Sequence, residues 1–169
     1  MKRFLACASL WWFAGILSAQ TNPCPASATF GDPAAGPTWN GWGAGLANTR
    51  FQDQKSAGIA AADVPKLKLK WAFGFPGAKS VYAQPSVAAG RVFVGVDTGA
   101  VYSLDATTGC VYWLFQAEAG MRSAVSIERA GAKYAAYFGD SKANVYALDA
   151  ATGQQIWKVH VDEHASAKI

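Results

Sequence analysis

Residues 101–113 read VYSLDATTGCVYW, and residues 145–157 read VYALDAATGQQIW. The offset is 44 residues, and Val, Tyr, Leu, Asp, Ala, Thr, Gly and Trp fall in register. A third tryptophan, Trp71, stands 42 residues before Trp113. A repeat of about 40–45 residues built from short strands marks a β-propeller blade array. Each copy opens with β-formers that suit a strand packed on both faces. Asp105 and Asp149 then stop the strand, because an Asp carboxylate accepts backbone N–H groups two or more residues on. Thr-Gly completes each turn, with glycine taking the positive φ that other residues resist. The chain returns over 110–116 and 154–161. Val111, Trp113 and Phe115 alternate in the first return; Trp157, Val159 and Val161 alternate in the second, with Ile156 off that register. A single copy is explained by any antiparallel hairpin with this turn. Two copies with tryptophan at one offset require a repeat.

Working outward, each repeated pair is preceded by two further strands. The first blade is expected over 80–117, with strands at 81–88 and 91–96. The second is expected over 120–161, with strands at 121–128 and 133–138. A leading strand is expected over 66–75, where Leu67, Leu69, Trp71, Phe73 and Phe75 alternate with Lys66, Lys68 and Lys70. Residues 162–169 begin a third unit. Two blades and one strand do not close a ring that needs 4–8 blades, so the chain reads as a truncated piece of a propeller. The alternative is a small protein that completes itself by oligomerisation.

The N-terminus reads as a signal peptide over residues 1–19. Lys2-Arg3 precedes an apolar run, and Leu17-Ser18-Ala19 suits cleavage. That run is short for a membrane span of about 20 residues, and no later stretch replaces it; an uncleaved anchor is the alternative. The mature chain is therefore expected in the periplasm or secreted, an oxidising setting. Cys7 lies in the presumed signal. Cys24 and Cys110 remain, and the sequence leaves their pairing open. Residues 20–37 read as an extended linker before a partial propeller over 38–169. The formal charge of +4 falls to +2 without Lys2 and Arg3. No basic stripe with interleaved aromatics occurs, which argues against a nucleic-acid partner.

The Leu-Asp-Ala-x-Thr-Gly-x-x-x-Trp pattern at 104–113 and 148–157 resembles the tryptophan-docking repeat of pyrroloquinoline quinone (PQQ) dehydrogenase propellers. Residues 39–43 (WNGWG) and 46–51 (LANTRF) are similar to the segment before that family's first blade. Gln84-Pro85-Ser86-Val87, Cys110-Val111-Tyr112-Trp113, Arg122-Ser123-Ala124-Val125-Ser126-Ile127 and Tyr137-Phe138-Gly139-Asp140 resemble the polyvinyl-alcohol dehydrogenase branch. The resemblance implies an all-β, eight-bladed propeller with PQQ and calcium on its axis. It implies oxidation of secondary alcohols and delivery of electrons to a cytochrome c. A non-catalytic scaffold of the outer-membrane assembly type, built from the same repeat, is the alternative. The family's catalytic acid and most metal ligands come from later blades, so no catalytic or metal-ligating residue is assigned here. No C-x-x-C-H haem site occurs in this stretch.

Four residues are expected near the cofactor. Arg122 opens the first strand of the second blade, where a planar guanidinium suits carboxylates. Gln84 lies on the equivalent strand of the first blade. Tyr82 stands where some relatives place a glutamate ligand. Lys168 begins the expected inner strand of the third unit. Asp162, Glu163 and His164 read as a solvated loop rather than a metal cluster, and Asp105 and Asp149 as turn-builders.

Overall fold

The Asp turns form as their side chains dictate. Asp105 Oδ1 accepts the Thr107 N–H at 2.9 Å, the Thr108 N–H at 2.7 Å and the Thr108 hydroxyl at 2.9 Å. Asp149 Oδ1 accepts the Ala151 and Thr152 N–H groups at 2.9 and 3.1 Å. Burial pushes both carboxyls up. Hydrogen bonds, including those from Tyr112 to Asp105 and from Lys133 to Asp149, outweigh it and hold both below the usual carboxylate range. Gly109 and Gly153 close the turns at φ +74°. A Cβ on Gly109 would lie 2.8 Å from the Trp71 ring, and one on Gly153 would lie 2.7 Å from the Trp113 ring. Glycine is thus required twice over, for the backbone angle and for the indole's approach. Each indole N–H also donates to an alanine carbonyl of the turn it covers: Trp71 to Ala106 at 3.2 Å, Trp113 to Ala150 at 3.0 Å.

The computed structural model describes residues 22–25, 29–164 and 166–169. The signal peptide expected over 1–19 lies outside them. The strands form two antiparallel four-stranded meanders, the blades of a β-propeller fold. The first holds β1 (Ser86–Ala88), β2 (Arg91–Gly95), β3 (Ala100–Asp105) and β4 (Val111–Gln116). The second holds β5 (Ser126–Ala130), β6 (Lys133–Gly139), β7 (Asn144–Asp149) and β8 (Gln155–His160). Strand β1 begins at Ser86 and β5 at Ser126, later than the expected 81 and 121. Residues 81–85 and 121–125 lead into them without ladder pairing.

Blade 1 is buried on both faces. Phe93, Val101 and Trp113 join Met121, Val125, Ile127, Phe138, Tyr146 and Leu148 in a core shared with blade 2. Val94, Val96, Tyr102, Leu104 and Val111 form a second cluster on the other face, covered by Trp71, Phe73 and Phe75. Val111 and Trp113 therefore face opposite ways, although their alternation predicts one face. The cause is a bulge: Ser103 pairs Trp113, but Leu104 pairs Val111, which leaves Tyr112 over. Blade 2 repeats the bulge at Ile156, between the Ala147–Trp157 and Leu148–Gln155 pairs. That is why Ile156 fell off register.

Two expected elements are corrected. The leading strand over 66–75 does not form. Ala61–Lys66 is a 3-10 helix that contains Pro65, and residues 67–75 carry no ladder. Trp71, Phe73 and Phe75 satisfy their alternation by packing on a sheet face, not by pairing with an edge; Leu69 is left uncovered. The linker over 20–37 is also more than a tether where it is described. Cys24 N–H donates to Val111 O at 2.9 Å and Val111 N–H to Asn22 O at 2.8 Å, adding a parallel bridge to β4. Cys24 and Cys110 form a disulfide. Phe30 sets its ring edge against Phe93 and Tyr134, with centroids 6.0 and 5.9 Å away. Asp32 accepts the Tyr134 hydroxyl at 2.8 Å. Further on, Trp39 exchanges two 2.8 Å backbone bonds with Val87 of β1. Asn40 gives and takes 2.7 Å bonds with the Ile127 backbone of β5. This strap therefore runs from the last strand of blade 1 to the first strands of both blades.

Candidate functional site

The site grows from the segments that lead into β1 and β5. In the register where Ser86 matches Ser126, each beside the equivalent β2 or β6 residue, Tyr82 matches Arg122. The two side chains meet: Arg122 Cζ lies 5.0 Å from the Tyr82 ring centroid. Both line a cavity of about 250 Å³ with Asp97, Gly120, Met121, Ser141 and Lys168. The turns behind it hold these segments in a repeated way. Met121 N–H donates to Val96 O at 3.1 Å, and Ile169 N–H donates to Asp140 O at 3.2 Å. Ile169 thus takes in the next unit the place of Met121, which puts Lys168 level with Gly120, two residues before the register of Arg122.

Three of the four expected residues, Arg122, Tyr82 and Lys168, come together here. Gln84 does not. Its Oε1 accepts the Gly43 N–H of the strap at 2.9 Å, so its amide holds the chain rather than facing the cavity. Asp97, the one carboxylate among the described lining residues, accepts the Lys79 N–H at 3.2 Å and the Ser80 N–H at 3.0 Å. Those neutral donors leave Asp97 its charge, so the cavity carries one half-buried carboxylate beside two exposed cations, Arg122 and Lys168. The two cations suit a planar anion bearing carboxylates. A cation finds no equivalent. Among the described residues no group of three His, Cys, Asp or Glu side chains stands ready for a metal ion.

Asp140 lies directly behind the site. It is fully buried and accepts the Lys142 and Asn144 N–H groups at 2.8 and 3.1 Å, the Asn144 amide at 3.0 Å and the Tyr146 hydroxyl at 2.9 Å. Burial pushes its carboxyl up, but the bonds from Asn144, Lys142 and Tyr146 prevail and hold it below the usual range. In blade 1 the matching position is Val96, so this network belongs to blade 2 alone.

The sequence reading passed over Asp97, Met121 and Ser141 in the lining. It also passed over Arg91, which is 3% exposed. Arg91 Nη1 donates to Ala151 O at 2.9 Å, and the guanidinium lies 3.8 Å from the Tyr112 ring and 5.2 Å from the Phe30 ring. It ties blade 1, the strap and the blade 2 turn together. The available signal was a difference between copies, since Ala135 occupies the same register in blade 2. A larger cavity, about 530 Å³, lies where residues 29–32 meet the blade 2 turn, and it holds none of the four expected residues.

Comparison with known proteins agrees with the repeat. The PQQ_2 family, described as outer membrane protein assembly factor BamB, matches residues 28–168. A polyvinylalcohol dehydrogenase from a Pseudomonas species is 47% identical over 135 residues, which is 78% of this chain and 20% of that protein. A second polyvinylalcohol dehydrogenase, from a Sphingopyxis species, is 43% identical over 150 residues, 86% of this chain and 22% of that protein. The crystal structure of quinohemoprotein alcohol dehydrogenase from Comamonas testosteroni superposes with a TM-score of 0.62 at 27% identity, covering 73% of this chain and 19% of that one. This chain spans about a fifth of the length of the curated relatives it matches.

Proposed function

We infer, for a chain that belongs to the PQQ-repeat propeller family, that it supplies two blades and part of the cofactor site of an exported quinoprotein alcohol dehydrogenase. The substrates are secondary alcohols of the polyvinyl alcohol kind, and the electrons pass to a cytochrome c. The observation that carries this reading is the pairing of Arg122 with Tyr82 beside Lys168 in one cavity. The names of the relatives support the reaction class. The Cys24–Cys110 disulfide supports an oxidising, periplasmic setting. No helix among the described residues is long and apolar enough to cross a membrane.

PQQ, when bound, would supply a quinone able to accept hydride from an alcohol. This chain's own share is to bind and orient. Arg122 offers a planar fork to a carboxylate, Lys168 a second cation, and the Tyr82 ring a flat wall that keeps the guanidinium from folding back. Gln84 acts one step removed by holding the strap at Gly43. The described residues gather no carboxylate set that fits a calcium ion.

Calorimetric titration of PQQ into the complete apo-protein, of which this chain supplies two blades, with calcium present, tests the reading. A charge-assisted bond contributes about 1.5–3 kcal/mol. Arg122→Ala should therefore weaken binding about ten- to a hundredfold at 1.4 kcal/mol per decade. The melting temperature should hold, because Arg122 is exposed and its ring contact among the described residues is with Tyr82. Equal affinity in variant and parent removes Arg122 from the site. No binding by the parent moves the chain to the alternative reading, a non-catalytic scaffold.

A further inference from the structure

Arg122 stands between two pinned neighbours. Before it, Met121 bonds Val96 O and packs so tightly on Gly95 that a Cβ there would lie 2.4 Å from the Met121 sulfur. After it, the Ser123 hydroxyl donates to Gly139 O at 3.1 Å and accepts the Gly139 N–H at 3.2 Å. The β5–β6 ladder ends at the Ser126–Tyr137 pair. Two residues beyond Tyr137, a side chain takes over the main chain's role and bonds both polar groups of one peptide residue.

The pin is absent from the blade that lacks the cation. In the register that matches Tyr82 with Arg122, Ser123 matches Ala83, which is buried and has no hydroxyl. Blade formation as such does not demand the serine, because blade 1 forms without it. What differs at the neighbouring position is the guanidinium. A long side chain magnifies any error in its backbone, so a cation meant to meet a fixed anion gains most from a fixed Cα.

We propose that Ser123 is a positioning residue for Arg122. By clamping Gly139 it holds the backbone that keeps the guanidinium over Tyr82 and facing the cavity. This rests on the reading of Arg122 as the carboxylate-binding residue. A serine that merely stabilised β5 would leave Arg122 in place when removed.

The test uses the full chain with labelled arginine. The Arg122 δ-methylene protons carry a ring-current shift from Tyr82, with Tyr82→Leu as the zero. Ser123→Ala should lose more than half of that shift, and Ser123→Thr, which keeps the hydroxyl, should retain it. In the complete protein, PQQ affinity should fall about tenfold in Ser123→Ala and return in Ser123→Thr. Ser123→Gly also lacks the hydroxyl and is read the same way if Ser123→Ala does not fold. A full ring-current shift in either folded variant overturns the proposal. The shift is read without PQQ, so a parent that binds none defeats the cofactor reading while the shift still decides the role of Ser123.

Discussion

Ser103 is fully buried in β3, and its hydroxyl has no hydrogen-bond partner among the described residues. The same register of blade 2 holds Ala147, also fully buried. An unpaired buried hydroxyl costs about 1–3 kcal/mol, so Ser103→Ala should be neutral or stabilising by about 1 kcal/mol in urea unfolding. A clear loss would mean the hydroxyl has a partner in solution. Tyr146 carries the opposite lesson, a buried hydroxyl that is fully used. Burial pushes its phenol up to about 12, with the Glu118 N–H opposing the rise and the Asp140 carboxylate adding to it. A folded-state value raised above the ordinary value of 10.0 leaves stability intact below that pH and removes it as pH rises toward the folded value. The loss is about 1.4 kcal/mol per pH unit across that window. Tyr146→Phe cannot ionise there. The stability difference between parent and Tyr146→Phe should fall steadily from pH 10 to 11.5 in urea titrations, and a constant difference would refute the account. Asp140 works the other way, since its lowered value means stability that is lost as pH falls through the acid range.

Among the elements, the returning strands β4 and β8 share a sequence pattern and a bulge but not an environment. Trp113 is 7% exposed and covers the Gly153 turn, whereas Trp157 is 40% exposed and touches Tyr137 at 5.9 Å between centroids. Trp113→Ala should cost about 3–5 kcal/mol, the usual range for a large aromatic removed from a core. Trp157→Ala should cost less than half of that in the same chain. Urea unfolding of the two variants decides, and equal costs would show that the turn beneath Trp113 adds nothing. The contrast also explains why the segment over 67–75 misled. An alternating pattern reports a face to be covered; it does not say whether the residues cover that face as a strand or by side chains alone.

At the scale of the whole molecule, the strap and its disulfide add to the core that the two meanders share. Cys24 and Cys110 are 86 residues apart in sequence. On the chain-entropy account, closing a loop of that size stabilises by about 4–5 kcal/mol. Reduction, or the paired change Cys24→Ser with Cys110→Ser, should lower the urea midpoint accordingly; an unchanged midpoint would show that the noncovalent bonds at Val111, Val87 and Ile127 hold the strap unaided. The sequence by itself determined the all-β class, the two meanders, their Asp-Ala-x-Thr-Gly turns and the resemblance to a propeller family. Those rest on local chemistry: a carboxylate capping its own turn, a glycine at positive φ, β-formers packed on both faces. It also offered candidates: Arg122 and Lys168 from their places at the openings of inner strands, and Tyr82 from the resemblance. Only the tertiary structure decided the cysteine pairing, the bulge that splits Val111 from Trp113, the loss of Gln84 to the strap, and the pin that Ser123 puts on Gly139. Each of these joins residues whose meeting depends on how strands and strap lie in space, and a pattern read along the chain carries no term for that.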